Sequence, residues 1–237
     1  LGGATGMIGD PSGKDTERSL QQEEAVLANI ESQRGQFESL FAATDGPAPI
    51  FVNNADWYRD MDVIRFLREV GKHFSVNAML TKDSVKTRVE NRDQGISFTE
   101  FSYQLLQGFD FVQLYREHGC RIQMGGSDQW GNIVGGVDLM RRMEGAQAHA
   151  VTYPLLTNSE GKKYGKSEKG AVWLDPDLTS PYEFYQFWLN SADIDTPKFL
   201  AWLTDIDLDY LQELKAAPAH ERRPQKALAE LLTARVH

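Results

Sequence analysis

The chain has 237 residues, of which 41% are hydrophobic and 11% aromatic, so it is long enough to bury a core and to form one large and one smaller domain. The formal net charge of −9 excludes a protein that coats nucleic acid generally, because that function needs a basic face; any contact with nucleic acid must be local. Cys120 is the single cysteine and the five histidines are scattered, which excludes an internal disulfide framework, predicts no metal site and favours a reducing cytoplasm.

A glycine-rich turn opens the chain and contains five glycines within residues 1–14. It follows what reads as the end of a strand, so we expect the chain to begin partway through a longer protein. The spacing of the glycines and the residue after Lys14 do not match the phosphate-binding pattern G-x-x-x-x-G-K-[ST]. Asp10, Lys14 and Arg18 nevertheless place charge just before a predicted helix, where anions bind readily. The turn is therefore either a ligand-binding segment or a plain connection.

Helical and extended patterns alternate along the first part of the chain. The predicted elements are a helix from Thr16 to about Ala43, a strand over Ile50–Val52, a helix from Asp62 to about Val70 and a charged helical insertion over about residues 71–96. This order favours a parallel sheet with crossover helices.

The next predicted helix, from Thr99 to Gly108, carries a polar stripe. Tyr103, Gln107 and Asp110 fall within about 60° of one another if the helix continues through Gly108. They could present a phenol, an amide and a carboxylate to a ligand. Alternatively, Tyr103 lies in the core and the other two face solvent, and spacing alone does not choose.

A second glycine-containing turn follows the predicted strand Cys120–Met124. Its sequence, Gly-Gly-Ser-Asp-Gln-Trp-Gly-Asn, covers residues 125–132 and leads into a helix. Ligands of open α/β sheets bind where a strand ends in such a turn, so Asp128 and Gln129 are candidates for ligand contact. A further strand, Ala148–Thr152, leads into a loop rich in lysine.

The lysine loop covers residues 158–170 and has four lysines in an otherwise acidic chain: Lys162, Lys163, Lys166 and Lys169. Its glycines disfavour a stable helix, and its lysines can only donate hydrogen bonds. The loop is either an anion-binding segment or an ordinary solvated turn.

Residues 177–237 show only helical patterns, so we predict a catalytic domain over 1–176 and a helical domain over 177–237. The predicted helices are Pro181–Leu189, Pro197–Leu203, Leu208–Leu214 and Glu221 to about Arg235. The aromatic residues of the first of these helices are more typical of a core than of a base-stacking surface.

Three motifs together make the chain resemble bacterial tyrosyl-tRNA synthetases, which are class I aminoacyl-tRNA synthetases, over nearly its whole length. They are Gly-Gly-Ala-Thr-Gly to Gly-Asp-Pro-Ser-Gly-Lys within residues 2–14, the Tyr103–Gln107–Asp110 stripe with residues 125–132, and Lys-Tyr-Gly-Lys-Ser at 163–167. The last is similar to the lysine loop of class I enzymes. The resemblance implies a Rossmann-like parallel-sheet nucleotide-binding domain with a helical insertion, followed by an all-helical domain.

The resemblance also implies a reaction. The carboxylate of tyrosine would attack the α-phosphate of ATP, and the tyrosyl group of the resulting adenylate would pass to tRNA(Tyr). Mg²⁺ would accompany the ATP without a protein cage. Such chemistry depends on positioning and charge stabilisation and needs no protein nucleophile.

For tyrosine, the resemblance implies that Asp10, Tyr103 and Gln107 hold the α-ammonium group. Asp110 would accept a hydrogen bond from the phenolic hydroxyl, and Gln129 would lie near the carboxylate.

For ATP, the resemblance implies that Gly126 and Asp128 contact the ribose. The groups expected to close on the departing phosphates are Lys14, Arg18, Lys163, Lys166 and Ser167. No histidine or cysteine is assigned a role.

The chain departs from the family pattern because no His-Ile-Gly-His motif occurs among its histidines and the C-terminal RNA-binding module is missing. By itself it is therefore expected to be inactive. The insertion around residues 71–96 resembles the dimer-forming segment of the family, so a homodimer is expected. Alternatives are a ligase for tryptophan and a non-catalytic paralogue that binds a nucleotide or a partner.

Overall fold

The computed structural model describes residues 1–12, 19–42, 46–90, 95–157 and 172–237. The chain divides into two compact units. The first unit consists of Leu1–Gln33 and Ile50–Leu155, and the second of Arg34–Pro49 and Leu156–His237. In the described residues, no helix is both long and apolar enough to cross a membrane.

The first part of the chain, up to Tyr153, contains eight α-helices and two strands among its described residues. The helices are α1 Thr5–Ile8, α2 Glu23–Ala42, α3 Ala55–Tyr58, α4 Val63–Glu69, α5 Val76–Leu80, α6 Asp83–Glu90, α7 Phe98–His118 and α8 Trp130–Glu144. The strands are β1 Ile122–Gly126 and β2 His149–Tyr153, and short 3-10 turns cover Gly71–His73 and Ser127–Gln129. The predicted helical insertion is confirmed as a 3-10 turn followed by α5 and α6.

The two strands are parallel, and α8 is the crossover helix between them, as predicted for an α/β fold. Ile122 lies opposite His149 and Gly126 opposite Tyr153. The predicted strand over Ile50–Val52 is wrong. Residues 50–52 belong to no helix or strand, although the Leu1 nitrogen donates to the Val52 oxygen at 2.6 Å.

The pair α7–α8 forms the centre of the first unit. Phe109 and Val112 of α7 pack with Leu139 of α8 and are almost fully buried. The helix α7 continues ten residues past its predicted end at Gly108, because Gly108 lies against Gly136 of α8, where its lack of a side chain allows close packing.

A buried ion pair fastens α6 to the start of α7. Arg88 and Glu100 are 3.0 Å apart, with side chains only 3% and 1% exposed. Arg88 Nε also donates to the Gly95 carbonyl at 2.9 Å. The pair ties the end of the insertion to the helix that carries the polar stripe.

Beyond Leu155, the described residues contain four α-helices, α9 Pro181–Leu189, α10 Thr196–Leu203, α11 Leu208–Ala216 and α12 Arg223–Val236, and a 3-10 turn at Ala219–Glu221. With the last part of α2 they belong to the second unit. Phe184 and Trp188 of α9 pack with Phe199 in the core of the second unit, as predicted, whereas Tyr182 of the same helix is 71% exposed. A capping box of Ser180 and Glu183 begins α9, satisfying backbone donors at the helix start.

Candidate active site

The carboxyl group of Asp110 is held by three donors. Its Oδ1 accepts hydrogen bonds from Trp57 Nε1 and Tyr58 Oη, each at 2.9 Å, and its Oδ2 accepts one from Asn54 Nδ2 at 2.9 Å. Burial raises the pKa of Asp110, and these hydrogen bonds oppose the increase. A carboxylate has about four acceptor positions, so the described residues leave one position for a further donor.

The Tyr58 hydroxyl lies between two acceptors, since its oxygen is 2.8 Å from the Leu106 carbonyl and 2.9 Å from Asp110. Burial and the adjacent Asp110 carboxylate both raise the pKa of Tyr58, and Tyr103 adds a smaller effect in the same direction. The Tyr58 phenol therefore stays protonated.

Two neighbouring asparagines, Asn53 and Asn54, connect the glycine turn to the segment that carries the donors to Asp110. Asn54 accepts from the Ala4 nitrogen at 2.8 Å and donates to Thr5 Oγ1 at 2.9 Å as well as to Asp110. Asn53 accepts from the Gly3 nitrogen at 3.1 Å. The glycine turn and the start of α3 are thereby fixed next to α7.

Gly3 is required at this junction, because a Cβ there would lie 2.1 Å from Asn53 Oδ1. The sequence analysis missed Asn54, Trp57 and Tyr58. The available signal was an amide pair that ends an extended segment and is followed by two aromatic side chains with polar ends.

The two glycine turns meet at Asp10 and Gln129. Gln129 Nε2 donates to Asp10 Oδ2 at 2.7 Å, and the Ser12 nitrogen donates to Asp10 Oδ1 at 2.9 Å. The side chain of Asn132, on the first turn of α8, donates to Ser12 Oγ at 3.3 Å. The structure thus brings together the residue expected at the α-ammonium group and the residue expected near the carboxylate.

The polar stripe lies on a continuous helix, since α7 includes Tyr103, Gln107 and Asp110. The Gln107 Oε1 atom is buried and has no hydrogen-bond partner in the described part of the chain. A buried acceptor of this kind is stabilised when it receives a donor.

Gly126 ends β1 beside Asp128. A Cβ at Gly126 would lie 2.8 Å from Asp128 Oδ1 and 2.9 Å from Leu155 Cδ2, so the turn needs glycine here. The five residues expected at the phosphates lie outside the described residues: Lys14, Arg18, Lys163, Lys166 and Ser167. Among the residues that are described, no group of three or more His, Cys, Asp or Glu side chains could hold a metal ion.

The described residues thus combine a parallel strand pair, a glycine turn at the end of β1 and a polar stripe on α7. The sequence model of the family described as tRNA synthetases class I (W and Y) matches residues 1–237. The chain belongs to this family.

The chain is similar in sequence to curated tyrosine–tRNA ligases. The tyrosine–tRNA ligase of Staphylococcus haemolyticus is 54% identical over 241 residues, covering 100% of this chain and 57% of the relative. Tyrosine–tRNA ligase 1 of Vibrio parahaemolyticus is 52% identical over 240 residues, with the same coverage. The chain spans about 57% of the length of these relatives.

Solved structures agree with the fold. A C-terminally truncated mitochondrial tyrosyl-tRNA synthetase of Aspergillus nidulans is 30% identical with a TM-score of 0.84, covering 100% of this chain and 71% of that one. The tryptophanyl-tRNA synthetase of Campylobacter jejuni is 15% identical over 100% of this chain and 75% of its own, and its TM-score of 0.58 shows a shared fold only.

Proposed function

We propose that this chain is the amino-acid-activating part of a tyrosine–tRNA ligase, an enzyme of EC class 6. Tyrosine and ATP would form tyrosyl-adenylate and pyrophosphate, and the tyrosyl group would then pass to the terminal ribose of tRNA(Tyr). The similarity to curated tyrosine–tRNA ligases at 52% and 54% identity supports this proposal.

The observation that carries the proposal is the arrangement around Asp110. Three protein donors fix its carboxyl group, and its remaining acceptor position suits the phenolic hydroxyl of tyrosine. Phenylalanine would leave that position unpaired, and tyrosyl-tRNA synthetases are themselves the standard example of this penalty, at about 10⁵-fold discrimination. The indole N–H of tryptophan could also donate to a carboxylate, as Trp57 does, so it is the similarity to curated tyrosine–tRNA ligases that favours tyrosine over tryptophan.

The opposite end of the amino acid would lie between α7 and the glycine turns. The α-ammonium group would be bound by Asp10, Tyr103 and Gln107. The buried Gln107 Oε1 atom would accept one of its hydrogen bonds. Gln129 would donate to the carboxylate of tyrosine. These contacts would orient the carboxylate for attack on phosphorus without any protein nucleophile.

ATP would enter as its Mg²⁺ complex. Gly126 would allow the ribose to approach the end of β1, where Asp128 would accept from its hydroxyl groups. The departing pyrophosphate would be stabilised, without any covalent bond to the protein, by the positive charges of Lys14, Arg18, Lys163 and Lys166 and by the hydroxyl of Ser167.

We further propose a cytoplasmic homodimer that uses the insertion around residues 71–96, which light scattering would test.

The proposal is tested by tyrosine-dependent exchange of labelled pyrophosphate into ATP, measured on the full-length protein. We expect exchange with tyrosine and a loss of at least about 10²-fold in kcat/KM for Asp110→Asn, because the variant replaces a pure acceptor by a side chain that also donates. Asp138→Asn is the matched control, since Asp138 is an exposed carboxylate of α8 paired with arginines.

Three outcomes would contradict the proposal. Exchange with tryptophan instead of tyrosine would favour the other ligase of this family. Equal affinity for tyrosine and phenylalanine would contradict the role proposed for Asp110. No exchange with any amino acid, in a correctly folded full-length protein, would favour a non-catalytic paralogue.

A further inference from the structure

A buried pair of polar side chains, Ser12 and Asn132, lies next to Asp10. Asn132 Nδ2 donates to Ser12 Oγ at 3.3 Å, and both residues are buried, at 5% and 8% exposure. Buried amides and hydroxyls are costly without partners, so this pairing constrains where the two segments can lie. It joins the glycine turn to the first turn of α8.

Ser12 transmits this constraint to Asp10. Its backbone nitrogen donates to Asp10 Oδ1 at 2.9 Å, two residues back, which is an Asx-type turn that fixes a carboxylate relative to its own backbone. The other carboxylate oxygen accepts from Gln129 at 2.7 Å.

Gln129 and Asn132 are three residues apart at the start of α8, so one helix end holds the turn at two points. The Gln129 contact is made directly to the carboxylate, whereas the Asn132 contact is made to the residue that orients it. An amide–hydroxyl distance of 3.3 Å is at the long end of the hydrogen-bond range. Loss of this hydrogen bond should therefore change the position of Asp10 more than the free energy of unfolding.

We infer that Ser12 and Asn132 are positioning residues for Asp10. This inference rests on the proposed function, in which Asp10 binds the α-ammonium group of tyrosine. The pair holds the carboxylate at a fixed distance from Gln129, so that the ammonium and carboxylate groups of one amino acid meet their partners together. The pair itself contacts no reacting atom.

The test measures equilibrium binding of tyramine to the full-length protein. Tyramine carries the phenol and the ammonium group without the carboxylate and is soluble at millimolar concentration. Ser12→Ala removes the hydroxyl but keeps the backbone donor to Asp10, and Asn132→Ala removes the amide. Each is made in the wild-type and in the Asp10→Asn background.

We expect each variant to weaken tyramine binding about three- to tenfold in the wild-type background and less than twofold in the Asp10→Asn background, because coupled residues are not additive. Ser12→Thr, which keeps a hydroxyl, should restore most of the affinity. Ser191→Ala is the matched control: it removes a buried serine hydroxyl of the second unit, which donates to the Trp188 carbonyl, and should leave tyramine binding unchanged.

The inference is overturned if Ser12→Ala and Asn132→Ala bind tyramine as the wild type does, or if they lose the same factor in both backgrounds. It is also overturned if Ser191→Ala weakens binding as much as they do. Failure of the wild type to bind either tyrosine or tyramine is a different result, because it contradicts the proposed function itself.

Discussion

At the scale of single residues, the balance between burial and hydrogen bonding around Asp110 determines when its carboxyl group is ionised and can accept a strong hydrogen bond from a ligand. Burial favours the protonated form, and the donors Asn54, Trp57 and Tyr58 favour the ionised form. The ionised form is the stronger acceptor for a phenolic hydroxyl. The donors would therefore extend the pH range in which the proposed substrate, tyrosine, binds.

Trp57→Phe tests this balance. Removing one donor should raise the pKa of Asp110 further, so that tyrosine binding, which falls as Asp110 becomes protonated, is lost at a higher pH than in the wild type. We expect the acid limb of a binding titration to move to higher pH, since the lost hydrogen bond stabilised the ionised carboxylate. An unmoved acid limb would contradict the role of Trp57, and Trp202→Phe in the second unit serves as the control.

Lys82 differs from Asp110, because no hydrogen bond from the described residues offsets the burial of its charged group. Its Nζ atom is buried and has no hydrogen-bond partner within the described ranges, and burial lowers its pKa from 10.5 to about 8. The folded protein therefore binds this proton less tightly than the unfolded chain does. The charged form weakens the fold below about pH 8, and the penalty diminishes as pH rises through the interval from about 8 to 10.5.

Lys82→Met should accordingly raise the free energy of unfolding at pH 7 by about 1–3 kcal/mol, because it removes the buried charge and keeps most of the volume. The difference from the wild type should narrow between pH 8 and pH 10. Urea unfolding at several pH values measures it. A difference that stays constant with pH would mean that Lys82 is not the titrating group.

At the scale of elements, two glycines differ in what surrounds them. Gly126 ends β1 with side-chain atoms closer than 3.0 Å to where its Cβ would lie, whereas Gly35 lies within α2 with nothing inside 4 Å. Only the first position requires glycine for reasons of space.

Alanine substitution at both positions should therefore have opposite effects. Gly126→Ala should lower the free energy of unfolding by about 1–3 kcal/mol through overpacking. Gly35→Ala should raise it by about 0.5–1 kcal/mol, because alanine loses less backbone entropy in a helix. Thermal unfolding of the two variants measures the signs, and equal signs would contradict this account.

The elements also show how far sequence reasoning reaches. Helices with a clear apolar stripe, such as α9, were predicted with the correct bounds, because the 3.6-residue period is a local property. The end of α7 was predicted too early, because a glycine is a local stop signal that packing against Gly136 overrides. The strand over Ile50–Val52 depended on pairing with other segments, which no local pattern reports.

In the candidate site, too, local motifs could be predicted from the sequence and long-range contacts could not. The motifs point to Asp10, Gln107, Asp110 and Gln129, but the roles of these residues came from resemblance to a family and stay predictions. Asn54 was missed because its contact with Asp110 spans 56 residues of sequence. Such a contact is set by tertiary structure, and nothing in the spacing of either residue indicates it.

At the scale of the whole molecule, the chain contains separate hydrophobic cores. One consists of buried side chains of the second unit, including Leu228, and others lie in the first unit around Phe109 and Phe111. Each unit therefore has its own source of hydrophobic stabilisation.

Leu228→Ala should reveal this division. The side chain is fully buried, so the substitution should destabilise the second unit by about 2–5 kcal/mol. Hydrogen exchange should speed up at the amides of α9, α10 and α12 while those of α7 and α8 keep their protection. Loss of protection throughout the chain would instead show that the two units unfold together.

The hydrogen bond from Trp57 to Asp110 also has an optical consequence. Trp57 is one of five tryptophans, and its indole N–H points at the carboxyl group that the proposed substrate would contact. Indole fluorescence responds to charge at its nitrogen end, so the emission of Trp57 should report whether Asp110 is ionised. The difference spectrum between the wild type and Trp57→Phe would isolate that signal and allow occupancy to be followed without any labelled nucleotide.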